Sequence, residues 1–240
     1  MIEWLRGEAL EPEIVLGGRV VPIEINRHPR ARRLTLRLAP DGSAVRITLP
    51  KWCASKEAIA FAHARAAWLE AQLAKVPEAH DPLATGTLPY RGAELAIDWR
   101  ADAPRKPALA DGALRLGGPR ETLERRLVRW LEGEAQSLFE GDAAYYCARA
   151  DLAPAPVRLT RAKRRWGSCS SEGVLRLNWR LVMAPDQIRR SVVAHEVAHL
   201  VHFDHSPAFH ALLDRLYEGE IEQANAWLSR HGRRLYASFS

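Results

Sequence analysis

The segment SVVAHEVAHLVHFDHSPAFH, residues 191–210, holds five of the nine histidines in the chain. Its first part has apolar residues at helical spacing, and His195, Glu196 and His199 lie within it in the order H-E-x-x-H. On a helix, residues four apart share one face, so the two imidazoles can bind one zinc ion. Glu196 projects beside this pair and can reach a metal-bound water. The pattern therefore predicts a metal site on a helix, with Glu196 as the catalytic residue.

A catalytic zinc site needs a third protein ligand and one position left for water. His205 is the first candidate, because it follows the predicted end of the helix, where the chain can turn back toward the metal. His210 ranks second and His202 third, since three ligands on one helix cannot surround an ion tetrahedrally. A carboxylate from Glu218 or Glu222 is a further alternative. The predicted metal ligands are three histidines: His195, His199 and His205.

Strand and helix patterns are mixed along the chain, which favours an α+β fold. RRLTLRLAPDGSAVRITLP, residues 32–50, alternates apolar and polar residues around Asp41-Gly42 and predicts a β-hairpin. A helix is predicted from Ser55, its N-cap candidate, to Val76. Further helices are predicted for residues 121–150, 187–203 and 208–232, and two strands around a Ser/Gly turn for residues 153–185.

Prolines and glycines are concentrated in ADAPRKPALADGALRLGGPR, residues 101–120, and predict a boundary near residue 118. The expected domains are an N-terminal region of β-hairpin and helix, residues 1–118, and a metal-dependent hydrolase domain, residues 119–240. Cys53, Cys147 and Cys169 are far apart, so neither a disulfide framework nor a thiolate zinc site is expected.

Composition and charge limit the class of protein. No apolar run approaches the roughly 20 residues that cross a bilayer, and the N-terminal residues carry acids instead of an apolar signal core. We therefore expect a cytoplasmic protein that does not bind membranes. The net charge of +6 is uneven, because residues 27–46 and 158–180 are both rich in basic residues. Two such segments suggest an anionic partner, for example a nucleic acid.

Three motifs resemble those of the YgjP-like metallopeptidases, relatives of the SprT-like zinc proteases: WGSCS (residues 166–170), LNW (177–179) and HSPxF (205–209). The arginine-rich hairpin, residues 30–50, also looks like the N-terminal segment of that family, and the resemblance extends from about Arg27 to about Tyr236. It implies a zincin-like α+β domain in which the active-site helix packs on a small mixed sheet. It also implies that His195, His199 and His205 are metal ligands and that Glu196 is the general base. A nucleotide-hydrolysing activity is proposed for the group as well, so the resemblance supports metal-dependent hydrolysis more strongly than proteolysis.

We expect a zinc-dependent metallohydrolase, first of all a metallopeptidase, in which Glu196 takes a proton from a metal-activated water. One alternative is a metal-dependent nucleoside triphosphate pyrophosphohydrolase whose basic turn, Arg161–Arg165, holds phosphates. Another is a nucleic-acid-binding module with structural zinc, which the arginine-rich hairpin suggests. Imidazole ligands also accept other divalent transition metals.

The sequence does not identify the group that stabilises the developing oxyanion. Arg164, Arg165 and a backbone N–H near Gly167-Ser168 are the candidates. Gly167 itself indicates either a tight turn or the close approach of another group.

Overall fold

The structure, a computed structural model, describes residues 12–39, 41–76 and 81–239. The chain divides into two compact units between residues 78 and 79. The predicted boundary near residue 118 lies within the second unit, and the division into functional domains at that point stays a prediction. Residues 1–11, for which the sequence predicts no secretory signal, lie outside the described residues, and the cytoplasmic location stays a prediction. In the described ranges, no helix combines the length and apolar character that a membrane crossing requires.

The first unit is a four-stranded sheet with helices packed on one face. Its elements are β1 (Glu13–Leu16), β2 (Arg19–Arg27), β3 (Thr35–Leu38), β4 (Val45–Leu49), α1 (Ser55–Ala64) and α2 (Ala66–Leu73). The strand order is β1-β2-β4-β3, with β2 and β4 parallel and the other neighbours antiparallel. Alternating apolar residues face the helices, among them Val21, Ile23, Val45 and Ile47. The opposite face of the sheet is mostly polar, as is usual for a sheet with one solvated side, with Val15 and Val20 exposed on it.

The predicted hairpin at Asp41-Gly42 is confirmed, because β3 pairs antiparallel with β4 and Gly42 has a φ of +70°. The single helix predicted from Ser55 is wrong, since the helix breaks at Arg65, where φ is −110° and ψ is 16°. Ser55 is the first helical residue instead of the N-cap, and its hydroxyl accepts a hydrogen bond from Arg27. The hairpin formed by β1 and β2 was not predicted.

A second four-stranded sheet opens the second unit. Its elements are α3 (Pro82–Thr85), β5 (Thr87–Tyr90), β6 (Ala93–Trp99), β7 (Ala108–Ala110) and β8 (Ala113–Leu116), in the strand order β5-β6-β8-β7. Two-residue turns with positive φ at both positions, Arg91-Gly92 and Asp111-Gly112, close its hairpins. The Arg91 and Gly92 N–H groups donate to the Val182 and Met183 carbonyls at 2.8 and 3.1 Å. This hairpin tip therefore docks on the segment that precedes the helix beginning at Asp186.

The long helix α4 (Leu123–Arg149) lies at the centre of the second core, with Leu127, Leu131 and Phe139 fully buried. It is followed by the strands β9 (Val157–Thr160), β10 (Gly167–Cys169) and β11 (Leu175–Asn178). They form a mixed sheet in the order β10-β11-β9, in which β10 is antiparallel and β9 parallel to β11. The last helices are α5 (Asp186–Ala198), α6 (Pro207–Leu216) and α7 (Ile221–His231). The predicted α+β class, with a helix against a small mixed sheet, is confirmed.

Two predicted helix boundaries are wrong. The helix expected over residues 187–203 ends at Ala198, and the helix expected over residues 208–232 is divided into α6 and α7 by Tyr217–Glu220. Tyr217 has extended backbone angles, so the helical pattern cannot continue through it. The early end of α5 matters for the site described next.

Candidate metal centre

Helix α5 is fixed by packing and by buried charge. Val193 and Val197 are fully buried in the second core. Arg189, whose side chain is 3% exposed, donates to the Asp142 carboxylate on α4 at 2.7 Å. A buried ion of either sign would be strongly unfavourable without its partner, so this pair ties the two helices in one register. At the helix start, Asp186 accepts hydrogen bonds from Arg91 in the β5–β6 hairpin.

Three imidazoles converge where α5 ends. The Nε2 atom of His195 lies 3.2 Å from Nε2 of His199 and 3.3 Å from Nε2 of His205. Ligand atoms of the three residues lie within 4.8 Å of one another, and among the described residues they form the one group of three or more potential ligands that meets this criterion. In a tetrahedral site with Zn–N bonds of 2.0–2.1 Å, neighbouring nitrogens are about 3.3–3.4 Å apart. The two separations from His195 therefore fit a single divalent ion, and His199 and His205 offer ligand atoms within 4.8 Å of each other.

The end of α5 creates this geometry. His199 follows the last helical residue but keeps helical backbone angles, and its N–H still donates to the His195 carbonyl at 3.3 Å. The i, i+4 relation of the two rings is thus retained. The Nδ1 atom of His199 lies 3.0 Å from the His202 carbonyl oxygen, so an Nδ1–H donor leaves Nε2 with a free lone pair. Because the helix stops, the chain reverses and brings His205 back to the other two rings.

Phe209 touches all three imidazoles. Its ring centroid lies 5.0 Å from that of His195, 4.6 Å from that of His199 and 4.9 Å from that of His205. The Phe209 side chain is fully buried. Its position depends on the start of α6, where the Ser206 hydroxyl accepts a hydrogen bond from the Phe209 N–H at 3.4 Å. No packing role for Phe209 is predicted from the sequence, although the preceding Ser206-Pro207 pair is a typical helix start.

Glu196 lies on α5 against the edge of the small sheet. It is 6% exposed, and the backbone N–H of Cys169 donates a hydrogen bond to its carboxylate. A β-carbon on Gly167 would overlap Oε1 of Glu196 and lie 2.6 Å from its Cγ. Of the two interpretations of Gly167, the structure therefore supports close approach: the absence of a side chain makes room for the carboxyl group.

Burial moves two pKa values in this site. It raises the pKa of Glu196 to about 7, although the Cys169 N–H and the positive charge of Arg165 act in the opposite direction. It lowers the pKa of His195 to about 4, and the neighbouring His199 and His205 lower that pKa further. A neutral imidazole is the form that binds a metal. The donor set therefore suits a divalent transition metal in chemistry as well as in spacing.

Four side chains considered as alternative ligands lie outside the cluster: His202, His210, Glu218 and Glu222. The His210 ring centroid is 6.4 Å from that of His205. Glu218 instead accepts hydrogen bonds from Tyr146 and Arg190, each at 2.8 Å. Its carboxylate therefore links α4 to α5.

Comparison with known proteins places the chain in a family. The family model described as "YgjP-like, metallopeptidase domain" matches residues 32–231. The chain belongs to the YgjP-like family. Membership of this metallopeptidase family supports a hydrolase that depends on a divalent metal.

Comparison with curated proteins and with solved structures adds no functional information. No curated protein matches the chain significantly. Among solved structures, this YgjP-like chain is similar to the crystal structure of the metallopeptidase zymogen abylysin from Pyrococcus abyssi. The match covers 44% of this chain and 99% of the abylysin chain, with 20% sequence identity and a TM-score of 0.34. A likeness at that level has no weight for the function.

Proposed function

We propose that the chain is a zinc-dependent peptidase in which His195, His199 and His205 hold the ion and Glu196 is the general base. The observation that supports this most directly is the convergence of three imidazoles beside a buried carboxylate, with His195 Nε2 at tetrahedral spacing from the Nε2 atoms of His199 and His205. A zinc ion held there would supply a Lewis acid and make water a nucleophile near neutral pH.

Glu196 moves the proton in this proposal. Its carboxylate accepts a proton from the attacking water and later delivers it to the leaving amine. The Cys169 N–H holds one orientation of the carboxylate, and Gly167 leaves the space that this orientation needs.

The edge strand β10 is the proposed binding site for the peptide. It pairs with β11 on one side only within the described sheet, and it lies beside Glu196. An extended peptide would pair with the free N–H and C=O groups of such an edge, and its side chains would alternate between the two faces. The Cys169 N–H already donates to Glu196, so the Gly167 N–H and Arg165 are then the candidate donors for the developing oxyanion.

The test compares wild type with Glu196→Gln, each loaded with zinc and incubated with casein and, separately, with nucleoside triphosphates. We expect wild type to cleave casein, and Glu196→Gln to be slower by about 100- to 10,000-fold, because the general base is lost. The zinc content of the two proteins should be equal, since Glu196 is outside the ligand set. Glu222→Gln is the control, because this exposed carboxylate is remote from the cluster.

Other results would favour the alternatives. Release of phosphate or pyrophosphate without peptide cleavage would reject the peptidase in favour of the triphosphate hydrolase. In that case, replacing the exposed Arg164 and Arg165 by Gln should raise the KM for the nucleotide. Arg161 is the weaker phosphate candidate, since it already pairs with Glu132 at 2.6 Å. Full activity in Glu196→Gln would reject both enzymatic proposals.

A further inference from the structure

One end of the sheet in the first unit collects positive charge. Strands β2 and β4 are parallel, so their C-terminal ends lie together, and β3 begins at the same end because it runs antiparallel to β4. Residues 28–34, after β2, and residues 50–54, after β4, therefore leave the sheet side by side, joined by a hydrogen bond from the His28 N–H to the Leu49 carbonyl at 3.0 Å. Between Ile25 and Ala39 there are five arginines and no acidic residue.

The arginines of the first of these loops form no ion pair with any residue that the structure describes. Arg30, Arg32 and Arg33 are exposed, and none of them pairs with an acidic group in the described part of the chain. In the same sheet, Arg46 by contrast pairs with Glu24 at 2.6 Å. Soluble surfaces usually intersperse both signs, so three unpaired guanidinium groups within four residues create a local positive field that attracts anions.

Trp52 lies in the second loop, at the same end of the sheet. Its side chain is 79% exposed, the highest fraction among the large apolar residues described. Arg27 holds the backbone on both sides of it, donating to the Lys51 carbonyl at 3.3 Å and the Cys53 carbonyl at 2.6 Å. The loop is therefore ordered by Arg27, and the indole is presented to solvent without contributing to the core.

We propose that this end of the first unit binds single-stranded nucleic acid, with a base stacked on Trp52 and phosphates held by Arg30, Arg32 and Arg33. Aromatic stacking beside a cationic groove is the usual means of binding unpaired strands. A duplex is not the expected ligand, because its bases are already stacked on one another and cannot offer a face to an indole. This inference is independent of the proposed peptidase activity, since it rests on residues of the first unit alone.

A membrane surface is the competing partner of similar chemistry, and the distribution of apolar groups argues against it. Among the described residues of the first unit, the other exposed large apolar side chains are those of Val15 and Val20, in the β1–β2 hairpin, and Trp68, on α2. Val15 and Val20 lie at the end of β2 opposite to Trp52. An interfacial segment needs a broad apolar face next to its basic residues, and Trp52 alone does not form one.

The experiment measures binding of the full chain to fluorescently labelled dT20, rU20 and a 20-base-pair duplex by anisotropy, at salt concentrations from 50 to 200 mM. We expect both single strands to bind more tightly than the duplex, and the preference between dT20 and rU20 to identify DNA or RNA as the ligand. With three phosphates neutralised, log Kd should rise with log salt with a slope of about 2. The triple change R30Q/R32Q/R33Q should weaken binding and remove most of that slope.

Trp52→Ala should weaken binding by about 10-fold, the effect of one lost base stack, while the salt slope stays unchanged. Trp52→Phe should restore part of the affinity, because phenylalanine also stacks. Two matched controls remove the same groups elsewhere in the first unit: R19Q/R65Q/K75Q, a loss of three exposed charges, and Trp68→Ala, an indole that is 45% exposed. Both should bind within about 2-fold of wild type, since neither changes the Trp52 end of the sheet. Circular dichroism melting verifies that each variant is folded.

Three results would overturn the proposal: no binding of dT20 or rU20 at 50 mM salt, equal losses in the R30Q/R32Q/R33Q variant and its charge control, or binding to phosphatidylserine vesicles with none to oligonucleotides. Equal affinity for the duplex and the single strands would also reject it, because stacking on Trp52 would then play no part.

Discussion

The histidine cluster at the end of α5 and the arginine-rich end of the first unit's sheet both gather ionisable groups, but they differ in burial. At the cluster, His195 and His199 are half-buried and the adjacent Glu196 is 6% exposed, although His205 is exposed; burial shifts the pKa of Glu196 upward and that of His195 downward. At the sheet end, Arg30, Arg32 and Arg33 are all exposed. This contrast shows that the pKa of a buried group depends on its position, whereas exposed charges attract anions through their number. Single substitutions should therefore have large effects at the cluster and small effects at its solvated margins.

The largest effect on metal binding is expected for His205→Ala. The affinity for zinc should fall by more than about 100-fold, since even residues that only orient a ligand contribute 10- to 100-fold. His202→Ala is the matched control, because His202 acts on His199 through its backbone carbonyl, which the substitution retains. Competition with a chromogenic chelator measures both affinities. Equal losses in the two variants would show that His205 is not a ligand.

Phe209→Ala tests whether the three rings need their common support. Loss of a fully buried phenylalanine should lower the free energy of unfolding by about 3–5 kcal/mol. The zinc affinity should fall too, because the imidazoles lose the surface that holds them apart at tetrahedral spacing. Phe203→Ala, at a side chain that is 64% exposed, should change stability by less than about 0.5 kcal/mol. Denaturant unfolding of both variants, with and without zinc, makes the comparison, and unchanged zinc affinity in Phe209→Ala would contradict the supporting role.

Gly167→Ala separates the position of Glu196 from metal binding. The added β-carbon must displace the Glu196 carboxyl group, and a displacement of about 1 Å costs roughly 100-fold in kcat. The zinc affinity should stay unchanged, since the group that the new β-carbon crowds, Glu196, is outside the proposed ligand set. Gly141→Ala is the control: that glycine lies in α4 with open space around its Cα, so the substitution should be neutral or slightly stabilising. A fully active Gly167→Ala variant would mean that the close approach is not functional.

Asp186→Asn should have the smallest effect, because this carboxylate is 37% exposed and its second partner, the buried Arg189, keeps its ion pair with Asp142. Hydrogen bonding to Arg91 lowers the pKa of Asp186 below its ordinary value. Its stabilising contribution is therefore complete above the unfolded-state pKa and is lost as the pH falls through the folded-state pKa. The variant should be less stable than wild type by at most about 1 kcal/mol at pH 7, and the difference should vanish in strong acid. Thermal melting at several pH values measures this, and a difference that persists below pH 2 would contradict the ion-pair explanation. Asp111→Asn, at a side chain that is 87% exposed, should melt like wild type throughout.

Some elements were predictable because their causes are local. The apolar spacing around His195 and His199 predicts a helix from near neighbours alone, and Asp41-Gly42 predicts a turn from its own backbone preferences. Asp111-Gly112 is also an Asp-Gly turn dipeptide, and it closes a hairpin. Because it lies among prolines and glycines, its segment instead predicts a boundary. A local signal therefore fails when neighbouring residues point to a different structure.

Residue order and spacing alone predict the α+β class, the helix with the H-E-x-x-H order and the residues from which a metal site could be built. Long-range packing selects the histidine that lies beside His195 and His199, because this depends on where α5 stops and how α6 packs under the rings through Phe209. The same packing places Gly167 against Glu196 and Trp52 near the arginines of a separate loop. Periodicity reports interactions between residues close along the chain, whereas these contacts join residues that only long-range packing brings together.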